Sequence, residues 1–312
     1  MQRAYISALL EVAEKDERVL HILADSGTGF DELFRRNFPN RLLNFGIAEE
    51  NMVGAAAGLA TAGKIPFVYT AGAFLAYRAF EFIRDDICFQ NLNVKIIGMG
   101  SGLAWSSLGP THHTTEDIAV LRSLANLMIL SPSTPKQVSE CVKLAYRHIG
   151  AVYVKIGMNN EKEFFADNYV LSNTGIDIVF GDERAEYTVF TTGSILEEAV
   201  SAGQILSEKG ISILLVNIAV IKPFPEKEIL SFIKGKKTIF SVEEHSVFGG
   251  LGSIICEIVA EKGIAVPVKR IGLLDKFAAG YGTQKMVREQ NSLDAKSIAE
   301  QIENVVRSVH NE

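Results

Sequence analysis

The chain has 312 residues, of which 47% are hydrophobic and 22% are charged, a composition typical of a globular protein. Its formal net charge is −6, without a block of like charges, which argues against nucleic acid or an anionic membrane surface as a partner. No apolar run approaches the roughly 18 residues that a membrane helix needs, so no membrane span is predicted.

Three cysteines, Cys88, Cys141 and Cys256, lie far apart and form neither a CxxC pair nor a His-containing metal pattern. Core thiols in a reducing compartment are the simplest interpretation. The first residues have an amphipathic helical pattern rather than that of a signal peptide. We therefore predict a cytoplasmic protein with no metal site of its own.

Helices and apolar strands alternate in the first half of the chain. Strands are predicted at 19–24, 41–44, 65–70, 94–99, 127–130 and 152–156. Helices are predicted at 3–15, 49–62, 73–90, 114–123 and 135–148. Continuous apolar strands between helices indicate a mostly parallel sheet that is covered on both faces.

A polar stretch without clear periodicity follows, and a second α/β pattern comes after it. Its strands are predicted near 187–192, 211–217, 237–242 and 267–271, and its helices near 194–208, 226–233, 249–262 and 294–308. The expected fold class is α/β, with two doubly wound, mostly parallel-sheet domains. The expected division is a first domain at 1–160, a linker at 161–184 and a second domain at 185–312.

The segment 44–52 places Glu49 in the first turn of a helix rich in Gly and Ala. Such an acid can serve only the positive end of the helix dipole. The alternative is a carboxylate buried for chemistry, beside small residues that allow a flat ligand to approach.

Phe74, Tyr77 and Phe80 are three residues apart on the next predicted helix. An aromatic stripe of this kind is usually core, but it can also stack a flat heterocycle.

Two further segments could carry chemistry. The loop 109–113 contains His112 and His113 after a predicted strand, at the end where α/β folds place ligands. The segment 241–252 passes from a strand into a Gly-rich helix start. Its glycines could cradle an anion, although tight helix packing is the favoured interpretation.

In their order and spacing these segments resemble the C-terminal half of transketolases, over essentially the whole chain. The resemblance rests on residues 44–52, 74–87, 109–119, 130–132 and 242–252. It implies a pyrimidine-binding (Pyr) domain followed by the transketolase C-terminal domain. It also implies thiamine diphosphate as cofactor and transfer of a two-carbon ketol unit from a ketose to an aldose.

The resemblance also implies residue roles. Glu49 looks like the catalytic glutamate that hydrogen-bonds the aminopyrimidine ring of the cofactor. Phe74, Tyr77 and Phe80 match the aromatic pocket around that ring, and Asp25 and Ile47 match further cofactor contacts. His112 resembles the catalytic histidine that contacts the donor sugar, and Lys155 stands where the family has a phosphate-binding arginine.

The GDG motif with which the family holds the diphosphate and Mg²⁺ is missing, since Gly181-Asp182-Glu183 is the nearest match. The chain therefore resembles one subunit of a split transketolase, with Mg²⁺ held mainly by a separate N-terminal subunit. The implied assembly is α2β2, with two copies of this chain and two equivalent sites. Alone, the chain is expected to be inactive.

Four positions depart from the usual family pattern, namely Gly29, Gly100, Leu108 and Lys155. A lysine is a point charge, whereas arginine grips phosphate with a planar fork. We therefore expect a sugar or sugar-phosphate substrate that is atypical, such as a deoxygenated, unphosphorylated or nucleotide-linked sugar.

Three alternatives stay open at this point. One is the β-subunit of a 2-oxo acid dehydrogenase E1 component, which has the same domain arrangement. Another is a reaction like that of deoxyxylulose-phosphate synthase, whose family is normally one long chain. The third is a non-catalytic scaffold, although the retention of Glu49 and the aromatic trio argues against it.

Overall fold

The computed structural model describes residues 1–25, 29 and 31–309. These residues form two α/β units, each built on a mostly parallel sheet with flanking helices. The predicted fold class is therefore confirmed.

Twelve strands lie within the described residues: β1 Val19–Leu23, β2 Leu42–Asn44, β3 Ile65–Ala71, β4 Lys95–Met99, β5 Leu127–Leu130, β6 Ala151–Ile156, β7 Ile176–Gly181, β8 Tyr187–Thr192, β9 Ile213–Ile218, β10 Val220–Lys222, β11 Thr238–Ser246 and β12 Val268–Leu273. The α-helices of the same residues are α1 Gln2–Lys15, α2 Asp31–Asn37, α3 Glu49–Thr61, α4 Phe80–Phe82, α5 Asp117–Leu121, α6 Pro135–Arg147, α7 Leu196–Glu208, α8 Glu226–Ile233, α9 Leu251–Glu261, α10 Gln284–Gln290 and α11 Ala295–Val309. Short 3-10 turns occupy Pro39–Arg41 and Gly193–Ile195.

The first sheet has seven strands in the order β10-β5-β6-β4-β3-β1-β2. Strands β1, β3, β4 and β6 are buried at every position, because helices cover both faces of the sheet. Their carboxyl ends meet at one edge. The segments that follow β1, β2, β3 and β4 carry all of the predicted site residues except Lys155, which lies within β6.

The second sheet has the order β12-β11-β8-β9-β7. Its edge strand β7 is antiparallel to β9 and lies inside the segment expected to be the linker. The two units are also joined by β10, which comes from the second half of the chain and pairs antiparallel with β5 of the first sheet. Neither β7 nor β10 was expected, since both are edge strands with little sequence periodicity.

The prediction of one regular helix at 73–90 is wrong, because the segment is helical but interrupted. A π-helical turn at Phe74–Arg78 ends at Ala79, which leaves the helical region (φ −91°, ψ 16°), and a second π-helical turn spans Ile83–Phe89. The wider turns change which residues share a face. Leu75, Ala76 and Ala79 are fully buried, whereas Tyr77 is 38% exposed.

No helix of the described residues is long and apolar enough to span a bilayer. Cys88 and Cys141 are buried and Cys256 is partly buried, all three as free thiols.

Candidate active site

Glu49 is the first residue of α3, and its side chain is buried. The residue is only 2% exposed, whereas Glu50 in the same turn remains partly accessible. Glu49 Oε2 accepts a hydrogen bond from Arg78 Nη1 at 2.7 Å. Burial of a charge is costly unless the charge is paired, and Arg78 provides the partner of Glu49. Glu49 is thus a buried and paired carboxylate, and its role in chemistry stays a prediction.

The loop before Glu49 is tied to the end of β1. Asn44 Oδ1 accepts hydrogen bonds from the backbone N–H of Asp25 at 3.1 Å and of Gly46 at 2.9 Å. Asp25 has a left-handed backbone (φ 49°) and an exposed side chain. Ile47 is 77% exposed. Asp25 and Ile47, the two predicted cofactor contacts, are thus exposed at the same edge of the sheet as Glu49.

The three predicted pocket aromatics are partly accessible, although Phe80 also packs against the hydrophobic core. Phe74 and Phe80 are half-buried and Tyr77 is exposed on one side. Tyr77 is held by Glu116, whose Oε2 accepts from the phenol at 2.8 Å and whose backbone N–H donates to it at 2.9 Å. A partly accessible aromatic side chain that is held in this way can border a flat ring.

His112 lies against Phe74. Its ring meets Phe74 edge-to-face at a centroid distance of 5.0 Å, and Trp105 at 6.2 Å. Its Nδ1 is 2.9 Å from the hydroxyl of Thr111. The guanidinium of Arg78 lies over the Phe74 ring, 4.8 Å from its centroid. Glu49, Arg78, Phe74 and His112 therefore form one continuous group.

Lys155 lies outside this group. The residue is 3% exposed, and its Nζ donates to Asp117 Oδ1 at 2.6 Å and to the Thr114 carbonyl at 2.9 Å. Asp117 Oδ2 accepts from the phenol of Tyr153 at 2.7 Å. The ammonium is thus already paired, and a contact with substrate phosphate would require this ion pair to open. The predicted substrate role of Lys155 stays a prediction.

Trp105 occupies the space beside Gly100, one of the positions that depart from the family pattern. A Cβ at Gly100 would lie 2.1 Å from Trp105 Nε1, and the backbone there has φ 84°. Only glycine fits both the space and the backbone. Leu108, another departure, is 45% exposed.

The glycines of the segment 241–252 serve close packing. Glu243 accepts hydrogen bonds from the backbone N–H groups of Leu251 at 2.8 Å and Gly252 at 2.9 Å. A Cβ at Gly250 would lie 2.0 Å from Glu243 Oε2. The start of α9 is therefore occupied by a carboxylate of the chain itself, which fits the favoured interpretation of tight packing.

The next residue of the segment joins the two units. Glu244 Oε1 accepts from the backbone N–H of Leu103 at 2.5 Å and from Gln284 Nε2 at 2.7 Å. Its other oxygen pairs with Arg288. One buried carboxylate thus holds a loop of the first unit against α10 of the second.

His245 lies in the same buried contact. Its Nε2 is 3.9 Å from Asp117 Oδ1, and its Nδ1 is 2.7 Å from the Ser246 carbonyl. Burial, with the Lys155 cation, lowers the pKa of His245 to about 4. Burial also raises the pKa of Glu243 to about 7, and the two backbone hydrogen bonds offset only part of that effect.

Sequence reasoning missed Arg78, Trp105 and Asp117. Arg78 lies within the aromatic helix, but its contact with Glu49 joins two helices and leaves no local signal. Trp105 is the single Trp of the chain, which marks it as unusual without placing it. Asp117 follows a capping pattern and resembles an ordinary helix-start acid.

Two family models match the chain. The model "Transketolase, pyrimidine binding domain" matches residues 1–157, and the model "Transketolase, C-terminal domain" matches residues 178–298. The described fold agrees with this pair of domains. The chain belongs to the transketolase family, a family of transferases.

Three similar proteins show which kind of transketolase chain this one resembles. An apulose-4-phosphate transketolase subunit of Actinobacillus succinogenes is 36% identical over 89% of this chain and 89% of that relative. A 6-deoxy-6-sulfo-D-fructose transketolase subunit of Clostridium sp. is 30% identical over 96% of this chain and 92% of that relative. A solved structure described as "Split gene transketolase, inactive beta4 tetramer" is 32% identical with a TM-score of 0.88, and the match covers 97% of both chains.

These relatives are subunits that have nearly the same extent as this chain. The prediction that the chain is the C-terminal subunit of a split transketolase is therefore confirmed. Family membership implies dependence on thiamine diphosphate, and the names of the related subunits imply a separate partner subunit.

Proposed function

We propose that this chain supplies the pyrimidine-binding half of a thiamine diphosphate-dependent ketol-transfer site, completed by an N-terminal subunit. The observation that carries the proposal is the buried Glu49 carboxylate, joined through Arg78 and Phe74 to His112. A buried carboxylate beside a half-buried aromatic face fits the aminopyrimidine ring. The ring nitrogens can meet the carboxylate while the flat face meets Phe74.

The residues of this chain have distinct roles in the proposal. Glu49 accepts a hydrogen bond from the cofactor ring and holds a proton there. Phe74, Tyr77 and Phe80 border that ring and exclude water from one side of it. His112, packed against Phe74, orients the oxygens of the donor sugar. The bound cofactor supplies the electron sink that ketol cleavage needs.

The partner subunit is proposed to hold the diphosphate and Mg²⁺ through a GDG motif. This chain lacks that motif. The name of the related split-gene structure describes its β-chain tetramer as inactive, which supports a need for the partner. The proposed assembly is α2β2, since a two-fold pair of this chain gives two equivalent sites. Cytoplasmic location stays a prediction.

The sugar is proposed to be atypical. Trp105 fills the space at Gly100, Leu108 is an exposed apolar side chain, and Lys155 is held in a buried ion pair. Together these reduce the polar groups that an ordinary pentose phosphate could contact. The two relatives reported above are named for apulose 4-phosphate and for a deoxysulfofructose, which supports a non-standard sugar here.

A ketol-transfer assay tests both parts of the proposal. This chain would be mixed with the N-terminal subunit, thiamine diphosphate and Mg²⁺, and given atypical ketoses or xylulose 5-phosphate with ribose 5-phosphate. We expect turnover of an atypical ketose, and a decrease in kcat of at least about 100-fold for Glu49→Gln with an unchanged Tm. Full activity of Glu49→Gln would contradict its role, and fast turnover of the ordinary pentose phosphates would contradict the choice of sugar.

A further inference from the structure

Arg78 contacts the two groups that the proposed function assigns to the cofactor ring. Its Nη1 donates to Glu49 Oε2 at 2.7 Å, and its guanidinium lies over the face of Phe74 at 4.8 Å from the ring centroid. A guanidinium is planar and presents N–H donors at its edge. Its shape and its donors therefore resemble those of an aminopyrimidine.

We propose that Arg78 is an internal placeholder, whose guanidinium occupies the aminopyrimidine position in the cofactor-free chain and must withdraw when the cofactor binds. This inference rests on the proposed function and adds a competing group to the same site. Arg78 is thereby a positioning residue that sets how readily the site accepts its cofactor.

The surroundings explain why the free chain needs such a placeholder. Glu49 is 2% exposed, and a buried carboxylate without a partner is strongly destabilising. Arg78 provides a positive charge and a hydrogen bond until another donor arrives. The ion pair therefore protects the fold of the free subunit and keeps the carboxylate in place.

Arg78 can also leave without breaking a larger network. Its side chain is 42% exposed, in contrast to the 2% of Glu49. Within the described residues, its hydrogen bonding is limited to the one bond with Glu49, although a guanidinium carries five N–H donors. It is the last residue of a π-helical turn, directly before the non-helical Ala79. Withdrawal into solvent therefore needs mainly a change of rotamer.

Competition by Arg78 lowers the apparent affinity for the cofactor. A site that is open only part of the time binds with an apparent Kd raised by the inverse of the open fraction. If the ion pair closes about nine sites in ten, its loss should tighten binding about 10-fold. A neutral side chain at residue 78 would remove this competition.

The test compares Arg78→Gln with a matched control, Arg84→Gln, in the complex of this chain with the N-terminal subunit. Arg84 lies on the same helical stretch, is 60% exposed and pairs with Asp85 rather than Glu49. Calorimetry would give the Kd for thiamine diphosphate, and stopped-flow fluorescence its association rate. We expect Arg78→Gln to bind about 10-fold more tightly and faster, while Arg84→Gln matches the wild type.

Equal or weaker binding by Arg78→Gln would overturn the inference, while binding by the wild-type complex would leave the proposed function intact. Failure of the wild-type complex to bind the cofactor would count against the proposed function itself. If Arg78→Gln does not fold, Arg78→Lys decides the question, since lysine keeps the charge but lacks the planar face. The complex with Arg78→Lys should bind thiamine diphosphate more tightly than the wild-type complex does. An unchanged Kd would overturn the inference.

Discussion

At the scale of single residues, buried charge is concentrated where the two units meet. Asp117 and Lys155 come from the first unit, and Glu243 and His245 from the second, and all four are at most 3% exposed. Buried charges of this kind are tolerated only when they are paired or neutral. The ion pair of Lys155 with Asp117, the backbone hydrogen bonds to Glu243 and a neutral His245 together account for the burial of this group.

The stability of this contact should depend on pH through His245. The pKa of His245 is lowered to about 4 in the folded protein from an ordinary value of 6.5. Between these values the unfolded chain binds a proton that the folded chain does not, so stability is full above pH 6.5 and is lost as the pH falls toward 4. Glu243, with a pKa raised to about 7, acts in the opposite direction between pH 4.5 and 7, because there the folded protein binds the extra proton.

Replacement of His245 by Asn should remove the loss of stability that protonation of His245 causes at low pH. The opposite contribution of Glu243 should remain. We expect the variant to lose less stability than the wild type between pH 6.5 and 4, with a difference of up to about 3 kcal/mol. Urea unfolding of both proteins at several pH values measures that difference. Parallel stability curves would mean that His245 is not kept neutral by its surroundings.

At the scale of elements, regular strands and helices could be predicted from the sequence, and irregular ones could not. Strands β3, β4 and β6 follow from continuous apolar runs, and α3 follows from its small apolar residues. The π-helical turn at Phe74–Arg78 changes the helical period without changing composition. The predicted stripe of three aromatics was for that reason assigned to one regular face.

The residues of the candidate site could likewise be predicted only in part from the sequence. Glu49, Phe74 and His112 could be picked out because each lies in a recognisable segment. Arg78 and Trp105 depend on contacts between segments, with Glu49 and with Gly100. Such contacts arise from the packing of elements, so local pattern and propensity do not reveal them.

The packing of α9 against β11 gives a prediction for Gly250. A Cβ there would lie 2.0 Å from Glu243 Oε2 and 2.6 Å from His245 Nδ1. We expect Gly250→Ala to lower the free energy of unfolding by about 1–3 kcal/mol, as overpacking usually does. Lys262→Ala, which removes a half-exposed ion pair with Glu226, should change it much less, since surface ion pairs contribute little to stability. Chemical denaturation compares the two, and equal effects would contradict the close packing.

At the scale of the whole molecule, the two units are interlocked rather than loosely joined. Strand β10 of the second half pairs with β5 of the first sheet, and Glu244 bonds to Leu103 across the contact. The second unit therefore supports the loop that leads to Trp105 and His112. The second unit thus contributes to the shape of the candidate site.

The split arrangement is the central claim for the whole molecule, and calorimetry of thiamine diphosphate with Mg²⁺ tests it most directly. The titration would be made with this chain alone, with the N-terminal subunit alone and with their mixture. We predict saturable binding in the mixture, one cofactor per pair of subunits, and no comparable binding by this chain alone. Tight binding by this chain alone, or none by the mixture, would contradict a site formed between two subunits.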